Sequence, residues 1–103
     1  MLPTLGRTVL YKLSSGDAEA INRRRADRQA YQREQPREAI GYVAHVGNRA
    51  EEGQIFPAVV VRTFDPSVNL QVSLDGNDAY WAPSRVEGDE PGQWSWPRRV
   101  EES

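Results

Sequence analysis

Gly53-Gln54-Ile55-Phe56-Pro57-Ala58-Val59-Val60-Val61-Arg62, followed by Val68-Asn69-Leu70-Gln71-Val72-Ser73-Leu74-Asp75-Gly76-Asn77-Asp78-Ala79-Tyr80-Trp81, decides the fold of this chain. Ile55 to Phe64 is the strongest strand, built around three consecutive valines. Pro57 belongs near its start or at an edge, because proline cannot donate to a ladder. Asp65-Pro66-Ser67 makes a turn. Val68, Leu70, Val72 and Leu74 then alternate with Asn69, Gln71 and Ser73, the period-two pattern of a half-buried strand. Asp75-Gly76-Asn77-Asp78 is a strong hairpin signal, with Gly76 expected at positive φ. Ala79 to Ala82 returns as the next strand, and Pro83 ends it.

Working outward, Asn48 to Gly53 reads as a loop, and Tyr42 to Val46 before it as a strand. Thr8 to Leu13 is a short β-prone run. Ser14 follows as a helix N-cap, with Asp17 placing an acid in the first turn. The helix should run from about residue 16 to 34, and Pro36 stops it. It is polar almost all round, with Ala18, Ala20, Ile21 and Tyr31 its apolar candidates, so its own domain should hold it weakly. The tail, 88–103, reads as loop but carries Trp94 and Trp96. The expectation is one domain, 1–103, mainly β with one helix (α+β). The fitting architecture is a small SH3-like or Tudor-like antiparallel barrel with strands in 41–86. The helix is an insertion after the first strand. An open α+β sheet is the alternative.

The chain has 103 residues, enough for one domain with a modest core. Its apolar content is 38% and its net charge −2, so it lacks the basic surplus of a general nucleic-acid binder. Without cysteine there is no disulfide framework or thiolate. No apolar run approaches a bilayer span, and the first residues lack the apolar centre of a signal peptide. A protein of the cytoplasm is expected.

No catalytic or metal motif stands out, so neither an enzyme nor a metal or other cofactor is expected. His45 lacks a neighbouring nucleophile and further ligands, and reads as a locally bonded strand residue. Asn22-Arg23-Arg24-Arg25, with Arg28 and Arg33, is a basic helix face, and positions 21, 24, 25, 28 and 32 share a side on which Arg24, Arg25 and Arg28 can converge. Converging guanidinium groups there suit a phosphate, although a solvated helix with local ion pairs explains them equally. Tyr80, Trp81, Trp94 and Trp96 concentrate the aromatics. Trp81 is expected in the core. Trp94 and Trp96 either staple the tail or stack on a flat ligand, with Ser84 and Arg85 supplying polar contacts at the rim. The candidate ligand site is thus Asn22, Arg24, Arg25, Arg28, Tyr80, Ser84, Arg85, Trp94 and Trp96.

Several segments together resemble a family of short uncharacterised proteins of bacteriophages and prophages. They include Leu5-Gly6-Arg7, Asp17-Ala18-Glu19-Ala20-Ile21-Asn22-Arg23-Arg24-Arg25, His45-Val46-Gly47-Asn48, Pro57-Ala58-Val59-Val60-Val61-Arg62, Leu74-Asp75-Gly76-Asn77-Asp78 and Pro91-Gly92-Gln93-Trp94. The likeness covers nearly the whole chain and is thinnest between Arg25 and Gly41. It implies a phage accessory protein in the host bacterial cytoplasm, and brings no activity and no functional residues. Surplus aromatics and an arginine face then suggest a non-enzymatic protein that binds a host protein or an anionic small molecule. One concrete form is a sponge that sequesters a nucleotide immune signal and counters antiphage defence. The alternative is a virion or assembly component, or an SH3-like protein-interaction module. A homo-oligomer is expected, because burial on a neighbour would compensate for a thin core.

Overall fold

The computed structural model describes residues 2–33 and 47–98. The expected strand Tyr42–Val46, with His45, lies outside the described residues. Five strands and one helix follow in the order β1 (Thr8–Lys12), α1 (Ser15–Arg33), β2 (Ile55–Thr63), β3 (Val68–Ser73), β4 (Ala79–Arg85) and β5 (Trp94–Ser95). The strands form one sheet in the order β4-β3-β2-β1-β5, with every neighbouring pair antiparallel. The ladder does not close into a barrel. An isolated parallel bridge joins Glu87, in the segment after β4, to Trp94 of the other edge strand. The tail is therefore more ordered than a loop, because Trp94 and Ser95 add the fifth strand beside β1.

The alternation of β3 sorts its side chains as the sequence suggested. Val68, Leu70 and Val72 are buried and their neighbours are not. They meet Val9 and Tyr11 of β1, Ala58 and Val60 of β2, Ala82 of β4 and Trp94 of β5 in one core. Ala18 and Ile21 of α1 complete it, so the helix lies on that same face of the sheet. Its start is fixed by reciprocal bonds across one turn. The Asp17 amide donates to Ser14 Oγ at 3.1 Å, and the Ser14 amide donates to Asp17 Oδ2 at 3.0 Å. Asp17 thus plays the part that Glu or Gln plays in a capping box.

Two irregularities set which side chains face which way. On β2, Val60 pairs with Leu70 but Arg62 with Asn69, so Val61 is an extra residue. On β4, Ala82 pairs with Leu70 but Arg85 with Val68, so three steps on β4 match two on β3. Ser84 sits in this bulge at φ 57°, its amide held by Asn69 Oδ1 at 2.8 Å. A bulge of this kind re-aims the residue after it. Regular alternation from Ala82 would turn Arg85 away from the core face, and the extra residue returns it there.

The β3–β4 connection is longer than a two-residue hairpin, since Ser73 pairs with Ala79. The positive φ values among described glycines fall at Gly6, Gly53 and Gly92, not at Gly76. Gly76 instead forms a bridge with Gly47. A Cβ on Gly47 would stand 2.5 Å from the Asp75 carbonyl oxygen and 2.7 Å from Gly76 Cα. The crossing of these two loops therefore needs the bare backbone of Gly47.

Candidate functional site

The helix carries two polar clusters, and both are turned toward the protein. The first centres on Asp17, 3% exposed beneath the sheet. The hydroxyls of Tyr11 and Tyr80 both donate to its carboxylate, Tyr80 at 2.9 Å, and Arg85 reaches it at 3.2 Å. Arg85 also lies over the Tyr11 ring, 5.7 Å from its centroid. Burial alone would raise the Asp17 pKa, but the Ser14 amide, the two hydroxyls and the Arg85 charge outweigh it. The carboxyl is held below its usual range. Tyr11 and Tyr80 shift upward, first through burial and then because each donates to Asp17. This cluster was missed in the sequence, where Asp17 reads only as a capping acid.

The second cluster binds the helix to the loops. Arg25, 7% exposed, donates from Nε and one terminal nitrogen to the two oxygens of Asp78, at 2.9 and 2.8 Å. Its other terminal nitrogen donates to the Asn48 carbonyl. Arg24 adds a contact to Asp78 at 2.9 Å. The Arg25 hydrogen bonds, with those of Arg24, hold the Asp78 carboxyl below its usual range against the opposing effect of burial. One turn earlier, the Asn22 amide brackets Ala50, donating to its carbonyl at 2.8 Å and accepting from its amide at 3.0 Å. A helix poor in apolar surface is thus held by hydrogen bonds instead.

The expected ligand site is accordingly dispersed. Asn22, Arg24 and Arg25 face Ala50 and Asp78, whereas Arg28 is exposed with no ion-pair partner among the described residues. Tyr80 and Arg85 converge, but on Asp17. Ser84 is the bulge residue, and Arg85 lies on the opposite side of the sheet from Trp81 rather than at its rim. Trp94 is 1% exposed in the core and has no free face for a flat ligand. Trp96 meets it edge to face, 5.4 Å between centroids, and carries the Arg7 guanidinium 5.1 Å over its ring.

Trp81 reverses its expectation, being 55% exposed on the face away from the helix. Register aligns it with Gln71, Val59 and Thr8 across four strands. Ile55, Pro57 and Val59 run beside it as an exposed apolar stripe along β2, with Leu10 paired to Pro57. None of these residues is charged. Among the described residues no three His, Asp or Glu side chains group as metal ligands, and no helix is long and apolar enough to cross a membrane. Compared with family models, with curated proteins and with solved structures, the chain matches none.

Proposed function

We propose that this chain is a non-enzymatic accessory protein of a phage or prophage, acting in the bacterial cytoplasm by docking to protein. The docking surface is the outer face of the sheet, and its first occupant is a second copy of the chain. One observation carries the reading. An exposed tryptophan and an apolar stripe occupy a face that a solvated antiparallel sheet ordinarily covers with polar residues, and its charged residues, Lys12 paired with Ile55 and Arg62 paired with Asn69, stand toward the two ends of β2. The uncharged middle of this face suits an equally uncharged surface. A two-fold pair presents the same stripe twice, which makes the contact self-complementary. The finer architecture we propose is an SH3-like roll. The pairing of β1 with both β2 and β5, and the bridge from Glu87 to Trp94, support it.

Light scattering across a concentration series tests the docking surface. The wild-type chain should form a dimer, and a Val59→Lys, Trp81→Ser double variant should remain a monomer with its fold intact. A wild-type monomer at every concentration would defeat self-association.

The nucleotide sponge remains a second reading, because one observation favours it. Arg24, Arg28 and Tyr31 are exposed at four- and three-residue spacings on one helix face, two cations and a ring for a flat anion. Arg24 must then leave or share Asp78. Calorimetry with cyclic and linear signalling nucleotides tests it. Heat that disappears in Arg28→Ala supports the sponge, and no heat with any of them removes it.

A further inference from the structure

Taking the outer face as a docking surface, we propose that it also receives an amphipathic helix of a partner polypeptide, one whose apolar stripe ends in carboxylates, and that this helix displaces the second copy. Charge decides the occupant. None of the five strands carries an aspartate or glutamate. The cations of the outer face are Lys12, paired with Ile55 at one end of β2, and Arg62, paired with Asn69 toward the other. Neither has an ion-pair partner among the described residues. Lys12 Nζ donates to the Asp89 carbonyl at 2.6 Å, and the Arg62 guanidinium lies 5.4 Å from the centroid of the exposed Phe64 ring. Asp65, the loop acid next to that ring in sequence, lines a cleft with Leu2 and Trp94 on the core side.

Between the two cations the face is uncharged and apolar, with Leu10, Ile55, Pro57, Val59 and Trp81 reaching solvent. From Ile55 to Arg62 the strand covers about 20 Å, a length that a helix spans in about 13 residues. A helix laid here would complete a layer matching α1, which covers the other face of the same sheet. A second copy fits less well. A two-fold axis along β2 sets each cation-bearing end against its own copy, and one across β2 sets Lys12 toward Arg62, so cations meet in either arrangement. A helix with a carboxylate at each end of its stripe pairs both. The aliphatic side chains around Trp81 offer no rings on which successive bases could stack, which favours polypeptide over single-stranded nucleic acid.

The test is a titration of the ¹⁵N-labelled chain with blocked helical peptides of about 18 residues, each with one leucine stripe and with glutamate, glutamine or lysine at both ends of it. The glutamate peptide should move the Trp81 indole resonance and the amides of Leu10 and Val59. It should bind about three- to tenfold more tightly than the glutamine peptide, and the lysine peptide most weakly. A Lys12→Gln, Arg62→Gln variant should keep the fold, lose the preference among the peptides and self-associate at least as tightly as the wild type. Light scattering on the same samples separates this occupant from the second copy. A dimer that the glutamate peptide leaves intact overturns the helix, whereas a chain that is a monomer throughout and still prefers the glutamate peptide loses only self-association. Equal binding of the peptides, or an unmoved Trp81 indole at millimolar peptide, would also overturn the proposal. So would a thymidine oligonucleotide that moves the indole more than any peptide, which would assign the face to single strands.

Discussion

Trp94 and Trp81 stand on the two edge strands of one sheet, β5 and β4, and their surroundings are opposite. Trp94 is 1% exposed among Val9, Tyr11 and Leu70, whereas Trp81 is 55% exposed beside Gln71. The same inversion holds for charge. Asp17 and Arg25 are buried and bonded on the helix side, while the outer face holds Ile55, Pro57, Val59 and Trp81. The helix side uses its polar groups to hold the molecule together. On the outer face, apolar surface is left in solvent without a structural task, and that is the side where a partner is expected.

The largest effect that could break this contrast is Trp94→Ala. Removing a fully buried indole should cost about 3–5 kcal/mol, enough to unfold much of a domain of this size. Urea denaturation followed by far-UV circular dichroism measures it. A loss below about 1 kcal/mol would show that the core does not rest on Trp94.

Next comes the anchoring of the helix. Arg25→Ala removes two bonds to Asp78 and one to Asn48, and leaves a largely buried carboxylate with only Arg24. The expected cost is about 2–3 kcal/mol. Arg24 is half exposed, and Arg24→Ala should cost less than about 1 kcal/mol. A double-mutant cycle of Arg25 with Asp78 sharpens the comparison. Equal losses for the two arginines would mean that the burial of Arg25 adds nothing.

How legible these sides were depended on distance along the chain. The N-cap was readable because Ser14 and Asp17 are three residues apart and their bonds are local. β3 was readable because its alternation repeats over the whole strand. The Arg25–Asp78 pair joins residues 53 apart, and no spacing rule reaches that far. Arg85 was misplaced for another reason. Its direction depends on the bulge at Ser84, which is a property of how β4 pairs with β3 rather than of β4 alone. Trp81 was assigned by its hydrophobicity. The parity that places Tyr80 and Ala82 inward was present in the sequence, but nothing there said which of the two faces met the helix.

The acid and alkaline limits probe the helix side without mutation. Asp17 and Asp78 titrate below their unfolded values in the folded protein. Their stabilisation is complete above the unfolded carboxylate range of about 4, and is lost as pH falls through the lower folded values. Tyr11 and Tyr80 shift the other way. Their contribution is complete below about pH 10 and is lost as pH rises through the raised folded values. Melting temperature should therefore be level between these limits and fall on both sides. Asp17→Asn should reduce the acid limb to the part that Asp78 contributes and weaken the alkaline one, because the carboxylate adds to the tyrosine shifts that burial begins. If only the acid limb responds, the tyrosines do not draw their shifts from Asp17.

The smallest effect on stability should come from Trp81→Ala, and it is the most telling about function. Most of the ring is already in water, and its neighbours on the outer face are Gln71 and the β2 stripe. Truncation should change stability by no more than about 0.5 kcal/mol, the range of surface substitutions away from special features. An exposed tryptophan retained only for folding would show a loss larger than this and no change in association. A docking residue shows the reverse, since aromatic anchors dominate interface energetics. Measuring the melting temperature and the dimer dissociation constant on the same variant separates the two. An unchanged melt with dissociation at least tenfold easier keeps the outer face as the working surface, and a lowered melt with unchanged dissociation moves Trp81 into the scaffold.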